Sequence, residues 1–473
     1  SADKAHRLGL ADACVPPRVM ERAAAQLVVS GQARRRPALW QRLLNGPGKG
    51  LIAGMARRQL AQRVSRAHYP APYAIIDLWQ RQHGNPLSAP ALIDGIVASP
   101  TTRNLLRVYH LQERLKNFGK DSDFHVRHVH VVGAGVMGGD IAAWCAWRGL
   151  TVTLQDRTLA TIAPALQRAY AAWQRRTKDA IALRQAMDRL IPDPDGQGAR
   201  RADVIIEAIY EDPAAKRSLL RSLEERIPAD AVLATNTSSL RLEDLRTLLA
   251  RPERLIGVHF FNPVAKMPLV EIVGAAGSDA ETLRRGCAFV RQIDKLSLPV
   301  RSAPGFLVNA VLGPYLYAAI QAVDQGLSPE TVDAALLAFG MPMGPIELVD
   351  LVGLDVALAA GKSLDDAAGR APRCLLDKVA AGHLGKKAGR GFYLYRNGRP
   401  VKNRPASVPA QLAERLLKPL LDRTRQLVDA GIVADADLAD AGVIFGTGFA
   451  PFTGGPLHYL RSLAATGGTT MVE

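Results

Sequence analysis

Three glycines, set directly after a short apolar run, restrict this chain more than any other feature. Val129 to Val132 reads as a buried strand, and Gly133, Gly135 and Gly138 follow it in the run GAGVMG. At this spacing the first glycine permits a tight turn, the second lets backbone approach a pyrophosphate, and the third lets the next helix pack on the strand. Val136 and Met137 join the glycines as expected cofactor neighbours, and the helix that should run from about Met137 to Trp147 aims its positive end at the phosphates. A second apolar run, Thr151 to Leu154, ends at Asp156, 18 residues after the third glycine. A carboxylate there accepts hydrogen bonds from ribose hydroxyls and repels a 2′-phosphate. The pattern favours NAD over NADP, with Arg157 next to Asp156 pulling the other way.

The chain has 473 residues, 48% of them hydrophobic, enough for sizeable cores and about three domains. No uncharged apolar run approaches the roughly 18 residues that span a bilayer, so no integral membrane segment is expected. Cys14, Cys145, Cys287 and Cys374 are scattered without CxxC spacing, which fits a reducing, cytoplasmic setting better than a disulfide framework. The net charge of +16 is local: residues 1–120 hold 19 Lys and Arg against six Asp and Glu. Arg34, Arg35, Arg36, Arg57, Arg58, Arg63 and Arg66 lie among helical apolar residues without an aromatic platform, which predicts a solvated basic face and no nucleic-acid partner.

Apolar runs alternate with helical stretches from residue 124 to 304: Val129 to Val132, Thr151 to Leu154, Asp203 to Ile209, Ala231 to Thr235, Leu255 to Phe261 and Leu269 to Val273. That order predicts a doubly wound α/β sheet. After Gly305 amphipathic helices take over, predicting an all-helical second domain. It contains a repeat: Pro314, Val323, Asp324 and Gly326 overlay Pro419, Val428, Asp429 and Gly431 at an offset of 105 residues. The copies span 305–400 and 401–473, and Asn309 of the first falls opposite Glu414 of the second. Residues 31–123 read as a helical linker.

An enzyme that oxidises an alcohol with a nicotinamide needs a base for the hydroxyl proton, a partner for the charged base, and donors around the forming carbonyl. His259 ends one apolar run and Glu271 lies twelve residues on, after a turn with Asn262 and Pro263, so adjacent strands would bring imidazole and carboxylate together. A hydrogen-bonded core histidine is the competing reading. Asn236, Ser238 and Ser239 follow another strand, on the side where crevice ligands bind, or cap the helix beginning near Arg241. Asn309 would hold a substrate oxygen or sit as a surface amide. His125, His128 and His130 lack a completing carboxylate or cysteine at ligand spacing, and no metal site is expected.

Together GAGVMG, IEAIYEDPAAK, NTSSL, GVHFFNP, LVEIV, PGFLVN, MPMGPIELVD and LGKKAGRGFY resemble the NAD-dependent L-3-hydroxyacyl-CoA dehydrogenases over roughly residues 124–473. The resemblance implies a Rossmann-type domain followed by a duplicated helical domain, and the oxidation of (3S)-3-hydroxyacyl-CoA in fatty-acid β-oxidation. It makes His259 the base, Glu271 its partner, and Ser238 and Asn309 the substrate-oxygen contacts. It sets Glu211, Lys216, Asn236, Ser238, Asn262 and Lys387 beside the cofactor. Residues 1–30 are similar to the end of an enoyl-CoA hydratase domain, and 31–123 to the linker of the multifunctional fatty-acid oxidation alpha subunits. On that resemblance the chain is an N-terminally truncated piece without hydratase activity, with a thiolase beta subunit and a homodimer as expected partners. Ala310 departs from the family, where many relatives carry arginine, and the chain stops at TGGTTMVE, soon after the second repeat. A noncatalytic CoA- or nucleotide-binding scaffold is the alternative reading.

Overall fold

Strands buried on both faces read as unbroken apolar runs, and these runs assemble into a single sheet. The computed structural model describes residues 2–31, 46–364, 371–405 and 407–465. The sheet has eight strands: β1 (His128–Val132), β2 (Thr151–Gln155), β3 (Leu190–Pro192), β4 (Val204–Glu207), β5 (Val232–Thr235), β6 (Leu255–Phe260), β7 (Leu269–Gly274) and β8 (Leu296–Arg301). Their order is β3-β2-β1-β4-β5-β6-β7-β8, parallel except where β6 meets β7. The strand order reverses beside β1, which places the glycine loop at the switch point where crevice ligands bind.

Both edge strands, β3 and β8, lie outside the six apolar runs expected. Each contains a proline, Pro192 or Pro299, tolerable only where a ladder hydrogen bond can be missing. Of the histidines near β1, His128 and His130 share one face, and both rings hydrogen-bond Thr153 Oγ1 at 2.8 Å. His130 also reaches Gln155 at 2.9 Å, so cross-strand polar pairing occupies this cluster.

The chain divides into two compact units, residues 1–99 and 100–473. In the first, α1 (Lys49–Ala61) and α2 (Pro70–Gln82) bury Ala53, Tyr73, Ala74 and Leu78. Arg57 and Arg66 of the basic group both pair with Asp77, whereas Arg34, Arg35 and Arg36 lie outside the described residues.

In the second unit α3 (Pro100–Asn117) comes first. Its sequence reads as linker, yet its Arg107 and Arg114 pair with Asp437, Asp440 and Asp435 near the far end of the chain. The glycine loop leads into α4 (Val136–Trp147), and α5 (Pro213–Glu224) follows β4.

The helical region begins with α6 (Val308–Asp324), α7 (Pro329–Phe339) and α8 (Pro345–Val352). Its second copy contributes α9 (Leu412–Asp429), α10 (Ala436–Thr447) and α11 (Pro456–Ala465). The long helices α6 and α9 carry internal prolines at the matching positions Pro314 and Pro419 and pack on each other. Among its described residues, the strands of the region form one antiparallel hairpin, β9 (Leu394–Arg396) and β10 (Arg399–Val401). The final segment TGGTTMVE lies outside the described residues.

Candidate functional site

The glycine loop follows from backbone geometry. Gly133 has φ +105°, and a Cβ on it would lie 2.5 Å from the Ala208 carbonyl oxygen. At Gly138 a Cβ would run into the Gly133 carbonyl, whereas Gly135 faces open space. Helix α4 starts at Gly135 without a side-chain cap, with Val136 exposed and Met137 half-buried, so its first N–H groups are available to an anion. Asp156, at the end of β2, accepts the Ala134 N–H through Oδ2 at 2.8 Å and the Arg157 N–H through Oδ1 at 2.7 Å. This carboxylate therefore holds the loop to the strand that carries it.

The antiparallel pairing of β6 and β7 sets His259 directly opposite Glu271. His259 Nδ1 lies 2.7 Å from Glu271 Oε2, with His259 only 4% exposed and Glu271 completely buried. The other carboxylate oxygen, Oε1, accepts the Leu307 and Val308 N–H groups at 3.0 Å each, at the start of α6. Three donors thus satisfy a carboxylate that burial would otherwise penalise heavily. An acceptor on Nδ1 places the ring proton there and leaves Nε2 with its lone pair. Phe261 and Phe306 enclose the imidazole edge-on, at ring-centre distances of 4.5 and 5.6 Å.

Next to this pair, Asn309 Nδ2 donates to the Ser238 carbonyl at 3.3 Å, joining α6 to the turn after β5. Glu211 organises that turn: its Oε1 accepts the Thr237 hydroxyl at 2.6 Å and the Ser238 and Ser239 N–H groups at 2.9 and 3.2 Å. Burial opposes ionisation of Glu211, but the Lys216 ammonium and these donors outweigh it and hold the carboxyl below its ordinary value. Asn236 Oδ1 accepts the Phe260 N–H at 2.9 Å, fastening the end of β5 to β6 beside His259.

The remaining expected cofactor neighbours are placed less uniformly. Lys216 is 1% exposed, and its ammonium points inward to Glu207, Glu211 and the Ile209 carbonyl. Asn262 is exposed, preceding Pro263 across a cis peptide in the β6–β7 connection. Lys387 stands in the helical region with its ammonium on both oxygens of Asp355, at 2.6 and 2.7 Å. Ala310 is buried, 2% exposed, one residue past Asn309. Sequence reasoning passed over Glu207, although a carboxylate closing the apolar run Val204–Ile206 signals a buried partner.

A glycine loop at the switch point, an acidic strand end and a buried imidazole–carboxylate pair define a dinucleotide-dependent oxidoreductase. Residues 128–303 match the 3-hydroxyacyl-CoA dehydrogenase NAD binding domain, and residues 305–395 match the C-terminal domain of the same family. A fatty acid oxidation complex subunit alpha from Shewanella sp. (strain MR-4) is 30% identical over 500 residues, covering 98% of this chain and 70% of that protein. Among solved structures, 3-hydroxybutyryl-CoA dehydrogenase from Escherichia coli K12 aligns with a TM-score of 0.63 at 26% identity, covering 72% of this chain and 92% of that one. (S)-3-hydroxybutyryl-CoA dehydrogenase from Ralstonia eutropha aligns at 0.54 and 32% identity, covering 58% and 100%. The chain belongs to the 3-hydroxyacyl-CoA dehydrogenase family, and its cofactor is NAD.

Proposed function

We propose that the chain oxidises (3S)-3-hydroxyacyl-CoA to the 3-oxoacyl-CoA in β-oxidation, with His259 as the base. The observation that carries this reading is the 2.7 Å contact between His259 and Glu271, whose second oxygen is already saturated by the Leu307 and Val308 N–H groups. A carboxylate fixed in this way orients the imidazole and stabilises the cation formed when Nε2 takes the 3-hydroxyl proton. Bound NAD supplies the acceptor for the hydride that leaves C3. Ser238 and Asn309, adjacent across the crevice, would hold the substrate oxygen as it becomes a carbonyl. The glycine loop and Asp156 would take the pyrophosphate and the adenosine ribose, with Asn236 and Asn262 nearer the β6 end of the crevice. Lys387, if it meets the cofactor, has to leave Asp355 first.

The relatives' shared name places them in a fatty acid oxidation complex, and a thiolase, which cleaves 3-oxoacyl-CoA, is the partner class that fits this product. No helix among the described residues is long and apolar enough to cross a membrane. The four free cysteines suit a reducing compartment, and we assign the enzyme to the cytoplasm on that ground. His259→Ala is the direct test. It should cut NADH formation from 3-hydroxybutyryl-CoA by about 10²- to 10⁴-fold, the usual worth of a general base. A near-native rate would remove His259 from the chemistry.

A further inference from the structure

The crevice also contains a buried carboxylate that proton transfer at His259 does not use. Glu207 closes β4 after Val204, Ile205 and Ile206 and is completely buried. A charge in that setting persists only when its oxygens are well partnered. Glu207 Oε1 accepts from Lys216 Nζ and from the Ile209 N–H, both at 2.8 Å, and Oε2 accepts the Thr235 hydroxyl at 2.6 Å.

Two routes lead from these bonds to one turn. Through Lys216, whose ammonium is 3.3 Å from Glu211 Oε2, Glu207 steadies the carboxylate that gathers Thr237, Ser238 and Ser239. Through Thr235, whose hydroxyl oxygen accepts the Thr237 N–H at 3.3 Å, it fixes the start of the same turn. Lys216 Nζ hydrogen-bonds Glu207 Oε1 and the Ile209 carbonyl and lies within ion-pair distance of Glu211 Oε2. The family reading sets Lys216 beside the cofactor, and these contacts tie that position to the turn as well.

We infer that Glu207 is a positioning residue for the substrate oxygen, acting through Lys216–Glu211 and Thr235–Thr237 on the turn that carries Ser238. This rests on the reading of Ser238 as an oxygen contact. Displacing a reacting group by about 1 Å can cost on the order of 10² in rate, and removing either anchor of a three-residue turn allows that much movement. A network that only stabilised the fold would lower the melting temperature and leave the effect of Ser238 unchanged.

The experiment compares wild type, Glu207→Gln, Thr235→Val, Ser238→Ala and Glu207→Gln/Ser238→Ala. Each is assayed for kcat and KM with 3-hydroxybutyryl-CoA, for the binary Kd of NADH by fluorescence, and for folding by circular dichroism. Glu207→Gln should lower kcat/KM for the acyl-CoA by about 10²-fold while the NADH Kd stays within about twofold. Ser238→Ala should then cost far less in the Glu207→Gln background than in wild type, because coupled residues are not additive. Thr235→Val, which cuts the second route to the turn, should follow the same pattern, and it carries the test if Glu207→Gln does not fold. Additive effects, an unchanged Glu207→Gln enzyme, or a Thr235→Val enzyme with NADH binding weakened tenfold would each overturn the inference. A folded wild type that forms no NADH would overturn the proposed reaction and this inference with it, whereas an active wild type with additive variants would overturn this inference alone.

Discussion

The two helical copies share one local device and close it with different cations. In the first, α7 begins at the cap Ser328, ends at Gly340 in the left-handed region, and is followed by Gly344 and Pro345 at the start of α8. In the second, α10 begins at the cap Asp435, ends at Gly448, likewise left-handed, and is followed by Gly455 and Pro456 at the start of α11. Each first helix buries one aspartate that caps the second. Asp333 Oδ1 accepts the Ile346 N–H at 2.8 Å, and Asp440 Oδ1 accepts the Leu457 N–H at 2.7 Å. A Cβ on Gly344 or Gly455 would collide with that aspartate, so the glycine and the buried acid come as a pair. Lys402, just past β10, reaches the other oxygen of Asp333 at 2.9 Å, while Asp440 receives Arg107 of α3 at 2.8 Å. The first copy is therefore closed from 69 residues further on and the second from 333 residues before. The local capping is common to the two copies, and the closing charge comes from a different element in each.

The largest effect expected separates these two closures. Arg107→Met leaves Asp440, which is completely buried, without its cation, and breaking a buried pair in this way costs about 3–5 kcal/mol. Asp440 then keeps the Leu457 N–H on one oxygen and only the longer His458 N–H, at 3.2 Å, on the other, whereas Lys402→Met leaves the corresponding oxygen of Asp333 with the Tyr393 hydroxyl at 2.8 Å, so about 1–3 kcal/mol is expected there. Urea unfolding measures both, and equal losses would mean that the two closures are equivalent. Burial already holds the Asp440 carboxyl above its ordinary value, against the opposing pull of Arg107. With Arg107 removed that carboxyl rises further, and the folded state then binds a proton more readily than the unfolded one. The Arg107→Met deficit should accordingly shrink as the pH falls through the raised value.

Function separates the copies as well. Helix α6 of copy one turns its leading N–H groups onto Glu271 and sets Asn309 against Ser238; helix α9 of copy two carries the exposed Glu414 at the matching place. Asn309→Ala should lower kcat/KM for the acyl-CoA by about 10²-fold, as expected for losing one oxyanion donor, and Glu414→Ala should leave it unchanged. Steady-state NADH formation measures the contrast. Matching losses in the two variants would mean that the amide acts through the fold and touches no substrate.

What is legible in the sequence is what depends on near neighbours. The glycine run is readable because φ at Gly133 and the close approach at Gly138 exclude any side chain. Facing strands twelve residues apart explain why His259 and Glu271 are readable as a pair. The N–H groups that saturate Glu271 come from 36 and 37 residues away, and no local pattern announces them. Strands β3 and β8 escape because Pro192 and Pro299 interrupt their apolar runs, an interruption an edge strand tolerates. The linker reading of α3 fails to show its allegiance for the same reason: Arg107 and Asp440 are 333 residues apart. Lys216 is readable as a conspicuous cation, but only the fold shows that Glu207 claims it.

The smallest expected effect tests the caps themselves. Ser328 caps α7 with a hydroxyl, whereas Asp435 caps α10 with a carboxylate that accepts the Leu438 N–H at 2.9 Å and also pairs with Arg114. Burial opposes ionisation of Asp435, but Arg114 and the Leu438 N–H prevail and hold its carboxyl below the ordinary value. A group with a depressed folded value contributes its stability above the unfolded value of about 3.8 and loses it as the pH falls through the folded one. The start of α10 thus carries an acid-sensitive cap where the start of α7 carries a serine. Asp435→Ser should change stability at neutral pH by no more than about 0.5 kcal/mol, since serine caps nearly as well and the lost ion pair is partly exposed. It should also narrow the gap between the urea midpoints measured near pH 7 and near pH 3. An unchanged gap would place the acid sensitivity elsewhere and remove the titratable cap from the differences between the copies.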